Sequence, residues 1–434
     1  MTTSVKSRRY NKLDSLSFLL QGKNLDDKEH PSGRTSYLPR APAKAAVAAV
    51  VFLFVVIAGV PVLFSPKKVI NTTTRAAYSA VSYEKCDLFT GDWVPNPDGP
   101  SYNSSCYGIH EHQNCIKFGR PNLDYLKWRW KPDGCELPIF DAEEFLETVR
   151  NKAIAIVGDS VARNHLQSLI CLLSKIQYPE HIYASKDDRV NRWKYFKYNF
   201  TIAKFWTPFL VKWKETDPDA GPSRTGIYDL FLDEFDTTWT SKIDDYDYVI
   251  INAGRWFYRS SIYYENGTVQ GCRYCLKQNV PDLPMRYGYQ MAFNTAFRAI
   301  NGRANYSAVT FLRTLAPSHF ENGQWNKGGN CERTAPYKRN ETSLSSDESE
   351  LYRIQLEEFE LAKREGAKNG RKFVLFDTSK AMLLRPDAHP SRYGHLPDQN
   401  VVLYNDCVHW CLPGAIDAWN DIFLEMLKRK EWEN

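Results

Sequence analysis

The chain has 434 residues, 43% hydrophobic, 25% charged and 14% aromatic, with a formal charge of +5. That balance excludes a disordered protein, a collagen-like fibre and a polytopic membrane protein, but leaves room for one membrane span. The charge is mild and spread along the chain, so no nucleic-acid partner is expected.

Residues 1–44 are polar and rich in Ser, Lys and Arg, and read as a disordered cytosolic tail. Residues 45–64, from Ala45 to Phe64, are 20 positions without a charge, enough for one helix across a bilayer core. A cleaved signal peptide would lie nearer the N-terminus and have a shorter apolar region. Nine Lys and Arg precede the span, but Lys67, Lys68, Arg75 and Lys85 follow it. The positive-inside rule therefore only leans toward a cytosolic N-terminus. Six glycosylation sequons, at Asn71, Asn103, Asn199, Asn266, Asn305 and Asn340, all lie after the span. So do all ten cysteines, an even number that suits an oxidising lumen and up to five disulfides. Cys272-x-x-Cys275 lacks a second pair to complete a zinc site, so no metal is expected. The reading is a type II signal anchor with the catalytic part in the secretory lumen.

Residues 65–84 read as a stem. Residues 85–140 hold four cysteines among many Gly, Pro, Trp and Asn, and suit a loop-rich module tied by disulfides. From 141 to 434 the pattern becomes that of an α/β domain. Asp141-Ala-Glu-Glu144 predicts a capped helix to Arg150. Ala153–Val157 predicts a buried strand, and Val161–Ile176 has a helical period. Further strands are predicted at Tyr248–Asn252, Ala308–Leu312 and Phe373–Phe376. Helices are expected near 284–300 and 350–368 and from Pro413 to Lys430, with a polar loop at 340–350. Alternating strands and helices argue for a parallel sheet with helices on both faces. The stretch from Arg192 to Tyr198 mixes bases with rings, and reads equally as a glycan groove or an amphipathic strand.

The sharpest feature is Gly158-Asp159-Ser160, between the first buried strand and its helix. It presents a serine at the carboxyl edge of the sheet, where α/β ligands bind. The serine's own N–H, at a helix N-terminus, suits a developing oxyanion. Alone, the tripeptide equally suits an ordinary capped turn. The second feature is Asp406-Cys407-Val408-His409. An imidazole is needed to take a serine proton, and a carboxylate to hold that imidazole in the right tautomer. Ser160 is then the nucleophile, His409 the general base and acid, and Asp406 the orienting carboxylate. Asp387-Ala388-His389 is a rival pair, but its spacing reads more easily as an Asx turn. His165 reads as helix surface or core.

These blocks, Gly158-Asp-Ser-Val-Ala-Arg-Asn164 and Asp406-Cys-Val-His-Trp-Cys-Leu-Pro-Gly414, resemble those of the plant trichome birefringence-like family. Trp128-Arg-Trp-Lys-Pro132, Cys135-Glu-Leu-Pro-Ile-Phe-Asp141 and Asn252-Ala-Gly-Arg-Trp-Phe257 are similar as well. The resemblance spans about 86–430. It implies a PC-esterase fold of GDSL/SGNH-hydrolase type, and polysaccharide O-acetyltransfer in the Golgi. The chain is most similar to the family's xyloglucan O-acetyltransferase branch. The resemblance further implies an oxyanion hole, with Asn252 and Gly254 as candidates, although that stretch equally suits a tight turn after the strand. Arg163 and Asn164, one turn past the nucleophile, are read as substrate contacts, with an ion pair to an acidic neighbour as the alternative for Arg163. It also suggests disulfides Cys86–Cys135 and Cys106–Cys171.

The expected activity is acetyl transfer to hydroxyls of a cell-wall glycan, most simply xyloglucan, with mannan, xylan and pectin as other acceptors. An acetyl-serine intermediate carries the group. No tightly bound cofactor is expected, but an acetyl donor is required, free or supplied by a membrane protein. Two rivals stand beside this: an acetylesterase using the same three residues, and a glycan-binding protein on a degenerate hydrolase fold. The complete Ser, Asp and His set argues against the second.

Overall fold

A computed structural model describes residues 86–219, 225–275, 278–396 and 405–433. The tail, the apolar span, the stem and Asn71 lie outside the described residues. Among those described, no helix is long and apolar enough to cross a membrane. The five described sequon asparagines are all exposed.

The described chain opens with an antiparallel ribbon, β1 (Gly91–Pro95) and β2 (Trp128–Pro132). Trp93 and Trp130 face each other across it, their rings meeting edge to face at 5.7 Å. Helix α1 (Ala142–Thr148) follows, with the Asp141 carboxylate accepting the N–H groups of Glu143 and Glu144. Next come β3 (Ala153–Gly158) and α2 (Ser160–Leu173). A meander of β4 (Glu180–Ala184), β5 (Val190–Tyr195) and β6 (Phe200–Trp206) leads to β7 (Val211–Glu215) and β8 (Tyr228–Phe235). After α3 (Thr237–Thr240) come β9 (Tyr248–Asn252), then β10 (Ser261–Glu265) and β11 (Thr268–Arg273). The chain closes with α4 (Met285–Asn301), β12 (Val309–Arg313), α5 (Ser346–Ala367), β13 (Lys372–Phe376), α6 (Ser379–Leu383) and α7 (Ala418–Arg429).

The main sheet has the order β13-β12-β9-β3-β6-β5-β4. Its first five strands run parallel. The parallel sheet expected from sequence carries an edge that was not, where β5 and β4 run antiparallel. The turns between β4, β5 and β6 are too short for a crossover, so these neighbours pair head to tail. A second sheet, β11-β10-β8-β7, was not anticipated. The expected loop at 340–350 is also corrected. Ser345 caps α5 by accepting the N–H of Glu348, so 346–350 are already helical.

The central strands are buried on both faces, and their side chains point alternately to one face and the other, a period of two that fixes which helix each residue meets. Ile154 and Ile156, Tyr248 and Ile250, and Val309 and Phe311 share one core with residues of α1, α2 and α7. On the other face, Phe373 of β13 meets Phe297 of α4 and Phe359 of α5. Helices thus cover both faces. The N-terminal module is stapled to this body. Cys86 bonds Cys135 within the module, whereas Cys106 bonds Cys171 on α2 and Cys115 bonds Cys411. Cys272–Cys275 and Cys331–Cys407 complete the set.

Asp421, in the first turn of α7, lines a small cavity with Tyr125, Trp128 and Asp417. Burial, with help from the Asp417 charge, pushes its carboxyl up to about 7, against the Phe140 N–H that it accepts at 3.0 Å. The folded chain therefore holds a proton that the unfolded chain releases near about pH 4. That stability is complete below about pH 4 and lost as pH rises through the folded value. The melting temperature is expected to fall between about pH 5 and pH 8, and Asp421→Asn to flatten the slope. Thermal melts across that range check it; an unchanged slope in the variant would exclude Asp421 as its source.

Candidate active site at the carboxyl edge of the sheet

Parallel strands bring their carboxyl ends to one rim, and the candidate residues lie there. β3 ends at Gly158, paired with Asn252 at the end of β9. Gly158 has φ +154°, and a Cβ there would lie 1.9 Å from the Asn252 carbonyl oxygen. Only glycine lets the two strands pair to their ends. Asp159 then caps α2 by accepting the Val161 N–H at 2.9 Å. Ser160 is the first helical residue, 5% exposed. The cap engages Val161 and not the Ser160 N–H, which stays at the positive end of the helix.

Asp406 and His409 meet within one loop. Asp406 Oδ1 accepts the N–H groups of Val408 at 3.1 Å and His409 at 2.9 Å. Oδ2 lies 2.9 Å from His409 Nδ1. A carboxylate only accepts, so Nδ1 carries the proton and Nε2 is the basic nitrogen. Burial opposes the charge on Asp406, but the His409 ring and these N–H groups outweigh it and hold the carboxyl well below the usual range. His409 Nε2 is buried and has no hydrogen-bond partner among the described residues.

Asn164 joins the two elements. Its Oδ1 accepts the Trp410 N–H at 2.8 Å and its Nδ2 donates to the Trp410 carbonyl at 3.3 Å. Asn164 lies one helical turn past Ser160, and Trp410 adjoins His409. The structure thus brings the Ser160 helix against the Asp406–His409 loop, with no hydrogen bond from His409 Nε2 to Ser160 Oγ. Asn164, expected as a substrate contact, is engaged here by backbone.

The remaining candidates differ in setting. Asn252 is buried and donates weakly to the Arg313 carbonyl at 3.3 Å, leaving Oδ1 without a partner. Gly254 begins a 3-10 turn over 255–258, and a Cβ there would meet the tip of Leu315 at 2.4 Å. Arg163 is half-buried and its Nε has no hydrogen-bond partner. Burial lowers its pKa, although Asp188, Asp159 and Asp406 are near enough to favour its charge. His165 is core, with Nε2 3.2 Å from Asn420 and its ring edge-on to Trp419. The stretch from Arg192 to Tyr198 is strand β5 followed by a 3-10 turn. The rival pair is no relay: Asp387 is ion-paired with Arg385 at 2.8 Å, both fully buried. His389 contacts the His409 backbone instead.

His110 is a residue that sequence reasoning did not single out. Burial pushes its imidazole down to about 2, with Arg163, His112 and His409 adding to the effect. No motif surrounds it; only the fold carries it to His409 from the N-terminal module. Among the described residues, no group of three or more His, Cys, Asp or Glu is arranged to hold a metal ion.

Residues 137–426 match the family model PC-Esterase, described as a GDSL/SGNH-like acyl-esterase family found in Pmr5 and Cas1p. Residues 84–136 match the PMR5 N-terminal domain. The chain is 58% identical over 355 residues to protein trichome birefringence-like 19 of Arabidopsis thaliana, covering 81% of this chain and 82% of that one. It is 45% identical over 348 residues to xyloglucan O-acetyltransferase 4 of Populus trichocarpa, covering 80% and 82%. Against xyloglucan O-acetyltransferase 2 of Arabidopsis thaliana the figures are 42% over 348 residues, 80% and 83%.

Proposed function

Because the chain belongs to the PC-Esterase family, we propose that it is an O-acetyltransferase acting on a cell-wall polysaccharide, with xyloglucan as acceptor. One observation carries the chemistry: the Asp406–His409 pair, with Nε2 unengaged, is clasped by Asn164 to the helix that Ser160 begins. Relatives named as xyloglucan O-acetyltransferases support the acceptor.

In this reading Ser160 Oγ attacks the acetyl carbonyl of the donor while His409 Nε2 takes its proton. The Ser160 N–H and donors around Asn252 and Gly254 receive the oxyanion. Collapse expels the donor's leaving group, which takes the proton from His409, and acetyl-serine remains. A sugar hydroxyl then gives its proton to His409 and attacks that ester, which restores the serine. Arg163 borders the substrate. No tightly bound cofactor enters the cycle; the acetyl donor arrives free or from a donor-supplying membrane protein. The apolar span at 45–64 anchors the enzyme in the Golgi membrane with residues 65–434 in the lumen, where the exposed sequons are available for glycosylation.

The family's acyl-esterase description supports one rival, in which water replaces the sugar hydroxyl. Full-length protein with a synthetic acetyl ester, with and without xyloglucan oligosaccharide, separates the two. Acetylated oligosaccharide is expected by mass spectrometry. Acetate alone would establish the esterase, and transfer only to xylan, mannan or pectin would overturn the acceptor.

A further inference from the structure

Two imidazoles beside His409 make more hydrogen bonds than two neutral rings can supply. His389 Nδ1 lies 2.6 Å from the His409 carbonyl oxygen. His389 Nε2 lies 2.7 Å from His319 Nδ1, and His319 Nε2 lies 2.9 Å from the Leu383 carbonyl oxygen. Both rings are buried, at 0% and 8% exposure for His389 and His319. A carbonyl oxygen only accepts, so each outer nitrogen needs a proton, and the contact between the rings needs another. Three protons on four nitrogens is one more than two neutral imidazoles hold. With only two, either a carbonyl faces a bare lone pair or two lone pairs face each other at 2.7 Å.

We propose that His319 and His389 share one extra proton as an imidazole–imidazolium pair, and that this proton fixes the His409 backbone. The pair is a positioning device, and the proposal rests on the reading of His409 as the base. The surroundings are tight. The His389 ring stacks on Trp410 at 4.1 Å, and Arg120 donates to the carbonyls of both Asp387 and His389.

Charges around the pair act in both directions. Asp406 favours a proton on His389, and Glu348 and Asp387 favour one on His319. Arg120 opposes it at His389 and Arg255 at His319. Glu348 is itself paired with Arg255, and Asp387 with Arg385. Burial is the largest opposing force, pushing His319 down to about 4 and His389 well below its usual value. Keeping the proton buries a charge, whereas losing it breaks a buried hydrogen bond. The two rings therefore titrate as one unit. The protonated pair grips the His409 carbonyl at all times, whereas the neutral pair does so only in the tautomers that keep a proton on His389 Nδ1, so turnover falls on the alkaline side as the proton leaves.

The test is the pH profile of acetyl transfer by the full-length protein, read beside nitrogen NMR of 15N-labelled histidine. The pair is expected to carry three ring protons where kcat is maximal, and to lose one at the alkaline midpoint. His319→Gln offers an uncharged amide that can donate to His389 Nε2 without an added proton. It is expected to move the alkaline midpoint of kcat up by at least about one pH unit, with KM little changed. A merely structural role would lower turnover equally at every pH. Two ring protons throughout the active range, or an unmoved midpoint in the variant, would overturn the proposal; the wild-type spectrum decides if the variant misfolds. Full turnover by His409→Ala would instead remove the base reading and leave the proton count standing.

Discussion

Ser160→Ala is expected to reduce acetyl transfer to background, about 10³-fold or more below the wild-type rate, with the fold intact. Alanine fits the first helical position of α2, and Asp159, which caps the helix through Val161, is untouched. The loss is therefore chemical. His409→Ala should fall as far, and the double variant no further, because groups that act as a unit are not additive. Asp406→Asn should retain a small residual rate. Its amide nitrogen would meet His409 Nδ1 and favour the wrong tautomer, while the serine remains in place. Intact-protein mass spectrometry after mixing with donor gives a second readout. Acetylated protein should appear with wild type, and not with Ser160→Ala. Wild-type turnover in either alanine variant would end the proposed mechanism.

What could be read from sequence depended on how local each signal was. Ala153–Val157 is a compact apolar run, so β3 and the Gly158-Asp159-Ser160 turn were legible before any fold. Asp406 and His409 are three residues apart, and one loop suffices to join them. The second sheet left no comparable trace. β7 alternates with Lys212 and Lys214, and the first three residues of β11 are exposed, so neither forms an apolar run. β4 is exposed along its whole length. The clasp between Asn164 and Trp410 spans 246 residues, and the His319–His389 contact 70. Neither contact has a periodicity to announce it. Nearness to Ser160 in sequence singles out Asn164, and only the fold gives it a partner in the backbone beside His409.

Breaking Cys115–Cys411 is expected to cost both stability and turnover, whereas breaking Cys272–Cys275 should cost far less of either. The first bond joins residues 296 apart, and Cys411 lies two residues past His409. It restricts the unfolded chain over a long loop, although Cys106–Cys171 already ties the same module to α2 and shortens the effective loop. A loss of about 2–5 kcal/mol is expected for Cys115→Ala with Cys411→Ala. The bond also works on the folded side. The Cys411 N–H donates to Ala388 and the Leu412 N–H to Gln113, both at 2.9 Å, so the tether holds the loop against the N-terminal module. Freed of it, the loop keeps the Asn164 clasp, the His389 contact, the Cys331–Cys407 bond and its backbone pairing with Ser391, but loses its covalent tie to the N-terminal module, and kcat should fall alongside stability. Cys272–Cys275 closes a gap of three residues at the end of β11, in the second sheet. Thermal melts and kcat of the two double variants make the comparison. Equal losses in both would show that the long bridge does no more for the Asp406–His409 loop than a local staple in the second sheet.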